Sequence, residues 1–253
     1  MSRWDPELFF LRVRKLAFAF RSRLTLNALA HGVAASIEHT ESLSRYKFST
    51  IVDVGANRGQ FALFSIEYFP DARIICFEPI PDATATFRRI FSGYHNVIIH
   101  QFAIGSEPAE ARLHVTAADD SSSMLSISQR QRDAFGTYEQ TTIMVPVHRL
   151  DETIPESAIV APALLKIDVQ GYELEVLRGC GALLTRFDVV YVEASYVELY
   201  REQHLADDIL EFLFMAGFTL CGVFNQAVYQ GRPLQVDFLL ERKVNQQAAR
   251  PVN

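Results

Sequence analysis

Ile51-Val52-Asp53-Val54-Gly55-Ala56-Asn57-Arg58-Gly59-Gln60-Phe61 is the stretch from which the rest of the chain is read. Its apolar start reads as a buried strand ending in a turn of small residues, and a helical pattern resumes through Phe61, Ala62, Phe64 and Ser65. A parallel α/β sheet binds its ligand at such a junction, above the carboxyl end of the first strand. Gly55 permits a tight turn, and Gly59 lets the helix start pack close beneath a ligand. The first N–H groups of the helix are free to meet an anion. A glycine turn also serves as a plain connector, so the neighbouring sequence has to discriminate.

Outward from this turn, strands alternate with helices. Thr50–Val54 is the first strand, with a helix from about Gly59 to Phe69 that Pro70-Asp71 ends. Arg73–Phe77 is the second strand, closing on Glu78-Pro79, and Pro81 opens a helix through Phe91. Val97–Phe102 is a third strand, followed by Ala103-Ile104-Gly105. The alternation then breaks: Ala111–Thr116 and Thr142–Val147 read as an inserted strand pair, and Ala117–Ser123 as a polar loop. Between them Gln129–Gln140 is charged and glutamine-rich, a surface helix or mobile lid beside the ligand crevice. Ala163–Val169 is the fourth main strand and leads into a helix over Tyr172–Leu184. Val189–Val192 is the fifth, followed by a helix at about Leu205–Ala216 that Gly217 stops. Phe218–Phe224 and Val236–Leu240, joined through Gly231-Arg232-Pro233, read as a closing hairpin.

Composition narrows the class. With 253 residues, 49% hydrophobic and 21% charged, the chain is long enough for one large α/β domain with a sizeable core. We divide it into a helical extension at 1–46, the main domain at 47–243 and a polar, frayed tail at 244–253. A net charge of −6 gives no general attraction to nucleic acid or anionic membrane. Cys76, Cys180 and Cys221 lie far apart with no C-x-x-C spacing, which argues against a disulfide framework, and two of them sit in apolar strand-like runs, which fits buried thiols in a reducing, cytoplasmic setting. No apolar run approaches the roughly 20 residues of a membrane span. At the start, Leu8-Phe9-Phe10-Leu11 and Leu16–Phe20 are interrupted by Arg12, Arg14 and Lys15, unlike the unbroken core of a signal peptide. That pattern suits a helix packed on the domain with a basic outer face. The alternative is an interfacial helix touching the inner face of a membrane.

The chemistry follows from the strand ends. About seven strands with a terminal antiparallel hairpin form the Rossmann-like, doubly wound sheet usual for S-adenosylmethionine (SAM)-dependent methyltransferases of class I, and disfavour a plain NAD domain. A dinucleotide fingerprint requires G-x-G-x-x-G for close approach of the pyrophosphate. Here the turn reads Asp53-x-Gly55-x-Asn57-x-Gly59, with asparagine where a glycine is needed. Asp53 adds negative charge, unfavourable for a diphosphate and suited to the ammonium and sulfonium of SAM. Glu78, roughly 20 residues past the turn, is placed to accept both ribose hydroxyls, and Pro79 stiffens its turn. Ala103 and Ile104 suit either an adenine ring or the core. Lys166-Ile167-Asp168-Val169-Gln170-Gly171-Tyr172-Glu173 forms the second cluster, and period-two alternation sends Lys166 and Asp168 to one face. A charged pair in a buried strand is costly unless partnered. A helix-capping Asp168 salt-bridged to Lys166 is the structural alternative to a catalytic role.

At these residues the sequence resembles the FkbM-type SAM-dependent methyltransferases. The resemblance rests on Val52-Asp53-Val54-Gly55-Ala56-Asn57-x-Gly59, Phe77-Glu78-Pro79, Ser121-Ser122-Ser123-Met124, Leu165-Lys166-Ile167-Asp168-Val169-x-Gly171-x-Glu173, Glu193, Leu199-Tyr200 and Asp237-x-Leu239. It covers roughly residues 34–241. It implies O-methylation of a hydroxyl on a sugar, glycolipid or other small metabolite. Asp53, Gly55, Ala56, Asn57, Gly59 and Glu78 would hold SAM, with Ser122 or Ser123 near it. Many members carry glutamate where this chain has Gln170, so one carboxylate is missing. The preferred reading is metal-free; if Mg2+ serves, Asp168 and Glu193 are its ligands. As the base that takes the acceptor's proton, Asp168 and Glu193 come first and His204 second, although a place beside a helix start favours a surface role for His204. His114 and His148 flank the inserted loop. The competing readings are a SAM-binding scaffold without catalysis and an NAD-dependent sugar-modifying enzyme.

Overall fold

The computed structural model describes residues 6–116 and 121–243, with side chains from Val13 onward. Helices α1 (Pro6–Ala19) and α2 (Arg23–Ala30), a 3₁₀ turn at Ile37–His39 and the short α3 (Thr40–Leu43) lead into β1 (Thr50–Val54). Next come α4 (Gln60–Tyr68), β2 (Arg73–Phe77), α5 (Pro81–Ile90), β3 (Val97–His100), β4 (Ala103–Ile104) and β5 (Ala109–Thr116). After them lie α6 (Gln129–Phe135), β6 (Glu139–His148), α7 (Leu150–Thr153), β7 (Ala163–Ile167), α8 (Glu173–Gly179) and β8 (Val189–Ser195). The chain closes with α9 (Ala206–Met215), β9 (Phe218–Tyr229) and β10 (Arg232–Arg242).

The main sheet has the order β3-β2-β1-β7-β8-β10-β9. Its first five strands are parallel, and β10 runs antiparallel between β8 and β9. This is the expected Rossmann-like class I methyltransferase sheet with its closing hairpin. β1 is buried on both faces, as a central parallel strand must be. Alternation splits it between two cores. Val52 and Val54 pack with β7, α8 and α9 residues, whereas Ile51 packs with Phe61 and Phe64 of α4. That second core also holds Phe18, Leu24, Ala28, Ile37 and Leu43, so the N-terminal segment covers one face of the sheet. The chain runs outward from β1 through β2 to β3 and then returns to lay β7 on the other side of β1, and this switch point opens a crevice above the strand ends.

Several boundaries differ from the sequence reading. The first 46 residues are not one helical run, because Gly32 adopts φ 75° and an extended stretch precedes the 3₁₀ turn. Strand β3 stops at His100, and Ala103–Ile104 leaves the main sheet to pair in parallel with β6, giving a second sheet β4-β6-β5. The inserted pair is therefore longer than expected. The helix from Gln129 ends at Phe135, where Gly136 caps it in the left-handed conformation, and Glu139-Gln140 already belong to β6. The helix after β7 breaks at Gly179 into a 3₁₀ run, Gly181–Arg186. The terminal hairpin is long and turns on two residues, Gln230 (φ 50°) and Gly231 (φ 76°), as a tight primed turn requires. Residues 117–120 of the expected polar loop and the tail from 244 lie outside the described residues. Among the described residues, no helix is long and apolar enough to cross a membrane. Cys76 and Cys180 are buried, and Cys221 is exposed.

Candidate active site

A cleft of about 580 Å³ opens above the carboxyl ends of β1, β2, β7 and β8, within the usual size range of small-molecule sites. Its floor begins with an ion pair. Asp53 and Lys166 are register partners on β1 and β7, and Lys166 Nζ stands 3.1 Å from Asp53 Oδ1. The ammonium also approaches Asp168 Oδ2 at 3.6 Å, the Gly55 carbonyl oxygen at 3.5 Å and the Phe61 ring at 5.5 Å. Burial disfavours charge on both partners. It raises the Asp53 carboxyl, an effect the ammonium offsets only in part. At Lys166 the carboxylates of Asp53 and Asp168 outweigh burial and raise the amine above its ordinary range. The proton therefore resides on Lys166. Lys166 lines the cleft and Asp53 does not, so Asp53 acts on the cleft through the ammonium above it.

The turn after β1 is occupied by its own hydrogen bonds. Gly55 N–H and Ala56 N–H both donate to the Phe77 carbonyl at 3.0 Å, Asn57 N–H to Glu78 Oε2 at 2.8 Å, and Gly59 N–H to the Ala56 carbonyl at 2.9 Å. The expected set of free amides for a carboxylate is thus not present at these four residues. Gly55 is required by close approach: at φ 84°, a Cβ there would stand 1.8 Å from the Asp168 carbonyl oxygen. The turn of β1 and the end of β7 are in contact. At Gly59 a Cβ would meet Phe91 at 2.5 Å, so this glycine makes room for α5 and not for a ligand.

Glu78 follows β2 and lines the cleft beside Pro79. Its Oε2 accepts from Asn57 N–H and its Oε1 from Ile80 N–H, each at 2.8 Å. Burial pushes the carboxyl up to about 7 against those two donors. Among the described residues each oxygen accepts one hydrogen bond and keeps a lone pair, which suits two hydroxyl donors. Phe102, Ala103, Ile104 and Leu113 form an apolar wall nearby.

The other side of the cleft is built around Gln170, held at φ 58° after β7. Its Nε2 donates to Asp168 Oδ1 at 2.8 Å and to Glu193 Oε2 at 2.7 Å, and its Oε1 accepts from the Tyr200 hydroxyl at 2.7 Å. Gln235 Nε2 holds the second Glu193 oxygen at 2.8 Å. Burial, then the neighbouring Asp168 and Asp237, push the Glu193 carboxyl well above its usual range. The amide donors favour its charged form and offset this in part. Glu173 shapes the loop from below: its Oε1 accepts from Val169 N–H (3.2 Å) and Gly171 N–H (2.9 Å), and burial raises it to about 7. Among the described residues, no group of three or more His, Cys, Asp or Glu is arranged to hold a metal ion. The Gln170 amide hydrogens stand between the two carboxylates that Mg2+ would need, so this donor set does not fit the ion.

The remaining expectations separate cleanly. Ser122 lines the cleft, where its Oγ accepts from Thr116 N–H at 3.1 Å. Ser123 lies beneath the wall, and its Oγ donates to the Gln170 carbonyl at 2.5 Å, tying the inserted sheet to β7. His204 is not brought to the site. It is 40% exposed and pairs with Asp208 at 3.2 Å on the outside of α9. His114 pairs with Glu139, and His148 packs edge-on against Phe102; neither lines the cleft.

Sequence reasoning missed a polar cluster at the far end. Asp237 faces Glu193 across β10 and β8, and its Oδ2 accepts from the Tyr191 hydroxyl and Asn225 Nδ2, each at 2.8 Å. Burial raises its carboxyl to about 6. Asn225 reaches it from a bulge in β9, where it adopts φ 50°. His39 closes the cluster, its Nδ1 3.3 Å from the Tyr191 hydroxyl, and burial followed by the charge of Lys166 lowers it to about 3, keeping the ring neutral. The signal in the sequence was Asp237-x-Leu239, an acid inside the closing hairpin with no assigned role.

The chain matches the methyltransferase FkbM domain family over residues 53–220. It is 28% identical over 185 residues to the 2-O-methyltransferase NoeI of Sinorhizobium fredii, covering 70% of this chain and 75% of that protein. It is 34% identical over 145 residues to methyltransferase 1 of Beauveria bassiana, covering 52% of this chain and 58% of that protein. Among solved structures, the magnesium protoporphyrin IX methyltransferase of Synechocystis PCC 6803 with bound SAM aligns with a TM-score of 0.44 at 8% identity, covering 91% of this chain and 83% of that one. With the strand order and the family match in agreement, the chain belongs to the FkbM methyltransferase family.

Proposed function

We propose that the protein uses SAM to O-methylate a hydroxyl of a sugar, glycolipid or other small metabolite. The observation that carries this reading is the contact between the turn of β1 and the end of β7, which sets the cofactor side of the cleft against the Asp168–Gln170–Glu193 cluster. Glu78, with one free lone pair on each oxygen, fits the two ribose hydroxyls of SAM, and the Phe102–Ile104 wall fits its adenine. Lys166 places a fixed positive charge at the base of the turn, suited to the carboxylate of the cofactor. When bound, SAM supplies an electrophilic methyl group.

The chain's own part is to orient the hydroxyl and receive its proton. Of the two first candidates Glu193 is preferred as the base, because burial and neighbouring acids raise its proton affinity, whereas Asp168 is engaged by the Lys166 ammonium at 3.6 Å. Gln170 holds both carboxylates in fixed positions, and positioning is most of what an already activated donor demands. A relative named as a 2-O-methyltransferase supports oxygen as the accepting atom. Calorimetry with S-adenosylhomocysteine (SAH) and mass spectrometry of methyl glycosides incubated with SAM test the reading. Absence of SAH binding sinks it.

The N-terminal helix supports a peripheral contact. Val13, Leu16 and Phe20 are exposed at helical spacing, with Arg14 also exposed beside them. An apolar stripe with a basic flank suits the surface of an anionic bilayer, from which a lipid-linked acceptor would enter.

A further inference from the structure

The inserted segment carries two buried hydrogen-bonding atoms that no partner among the described residues satisfies. Gln131 is the one buried residue of α6, at 2% exposure, while its neighbours Arg130, Arg132 and Asp133 are exposed. Thr137, just past the helix, is 3% exposed. Both line the cleft, and Gln131 Oε1 and Thr137 Oγ1 have no hydrogen-bond partner among the described residues. Buried polar atoms in folded proteins are nearly always paired, so two in one wall point to a group that arrives from outside.

The direction of the hydrogen bonds decides what that group must offer. Two carboxylates face Gln170 Nε2, so its Oε1 must face Tyr200. The Tyr200 hydroxyl then gives its hydrogen to Gln170 Oε1 at 2.7 Å, in preference to the Ser121 carbonyl at 3.1 Å, and its lone pair receives Gln131 Nε2 at 3.2 Å. Gln131 Oε1 is left as an acceptor, and the Thr137 hydroxyl can give or accept. The chain of donors ends at β7 and β8, whereas Glu78 ends β2 on the far side of β1. These two unmet atoms therefore belong to the acceptor side of the cleft, whereas Ser36 Oγ and Gln60 Oε1, also unmatched among the described residues, line it where the chain enters α4. An anion has no hydrogen to donate to Gln131 Oε1 and would face Asp168, Glu193 and Asp237 in the same cleft. A neutral ring with adjacent hydroxyls meets every requirement.

Resting on the methyl-transfer reading above, we propose that Gln131 and Thr137 recognise the acceptor, and that this acceptor is a neutral polyhydroxyl compound of the glycoside class, read at a second hydroxyl beside the one methylated.

The test uses the full chain, SAH calorimetry, and turnover of neutral methyl hexosides and methyl 6-deoxyhexosides, with cyclohexanol as a single-hydroxyl control. Wild-type protein should bind SAH and turn over at least one glycoside far better than cyclohexanol. Gln131→Leu and Thr137→Val should each raise the KM for that glycoside about tenfold, the usual cost of one lost hydrogen bond, and leave the SAH affinity within twofold. Gln131→Glu, which keeps an acceptor oxygen, should restore most of the KM. The two sites are separate, so Thr137→Val carries the test if Gln131→Leu does not fold. An unchanged KM in both variants overturns the proposal. So does a loss of SAH affinity, which would assign these atoms to the cofactor, or equal use of cyclohexanol. SAH binding without turnover of any glycoside overturns the acceptor class and leaves the cofactor reading standing. Failure of the wild type to bind SAH defeats that earlier reading instead.

Discussion

Asp53 and Lys166 occupy opposed positions on adjacent central strands, their charges 3.1 Å apart at 0% and 6% side-chain exposure. Neither can ionise alone in that environment without large cost. Lys166→Met leaves Asp53 buried without its counter-charge and should destabilise the fold by about 3–5 kcal/mol. Asp53→Asn combined with Lys166→Met should recover much of that loss. Urea denaturation of the single and double variants measures both, and additive losses would contradict the pairing.

Glu78 predicts two opposite pH effects. Its carboxyl sits near 7 in the fold against an ordinary 4.5, so the folded state retains a proton that the unfolded chain releases. The stability from that proton is fully present below about 4.5 and is lost as pH rises through about 7. Hydroxyl donors favour the ionised form, so SAH affinity should fall as pH drops below about 7, by up to tenfold per unit. Glu78→Gln should weaken SAH binding at pH 8 and flatten both dependences. Calorimetry across pH 5.5–8.5 would record the slopes (roughly tenfold per unit at most).

Glu193→Gln should lower turnover by roughly 10²–10⁴-fold, the usual value of a positioned base, with SAH affinity retained. Because burial and neighbouring acids hold the Glu193 carboxyl well above its usual range, the wild-type rate should climb with pH as the carboxylate forms. Asp168→Asn should cost less, since Lys166 already offsets its charge. A pH–rate profile that stays flat would remove Glu193 from the role.

Gln170 predicts the response to metals. Its amide supplies hydrogens to both Asp168 and Glu193, filling the place of a cation, so EDTA should leave wild-type activity unchanged. Gln170→Glu replaces that donor with a third carboxylate. Activity in this variant should fall at neutral pH and become responsive to added Mg2+. Loss of wild-type activity on chelation would contradict the argument.

For the N-terminal helix, the expected result is sedimentation of the full chain with phosphatidylglycerol-containing vesicles and not with pure phosphatidylcholine. Phe20→Glu should reduce the bound fraction several-fold without affecting SAH binding, because Phe20 is 69% exposed and does not line the cleft. Equal recovery of wild type and variant would remove the membrane contact.

The sheet was legible because local pattern and tertiary context agree. Thr50–Val54, Arg73–Phe77 and Ala163–Ile167 are apolar, β-branched runs bounded by turn residues, and nothing else in the fold competes for them. The small-residue turn Asp53-x-Gly55-x-Asn57-x-Gly59 and the strand-end Glu78 were legible for the same reason. What each residue touches was not. Gly59 approaches Phe91, Asp53 is sealed beneath Lys166, and His204 points outward, because these outcomes depend on the packing of α5, on strand register and on the face of α9.

The far side of the cleft was set by tertiary structure alone. His39, Gln131, Tyr200, Asn225 and Asp237 come from five separate segments, and no spacing along the chain relates them. Their partnership arises from long-range pairing: β10 inserted beside β8, a bulge that turns Asn225 inward, and an insertion folded back over the strand ends. By itself the sequence determined the sheet, its switch point and the tight turn after β1, since each is encoded within a few neighbouring residues. Tertiary structure decided which carboxylates share hydrogens and where unmet polar atoms face the cleft, since hydrogen-bond direction depends on groups that only folding brings together.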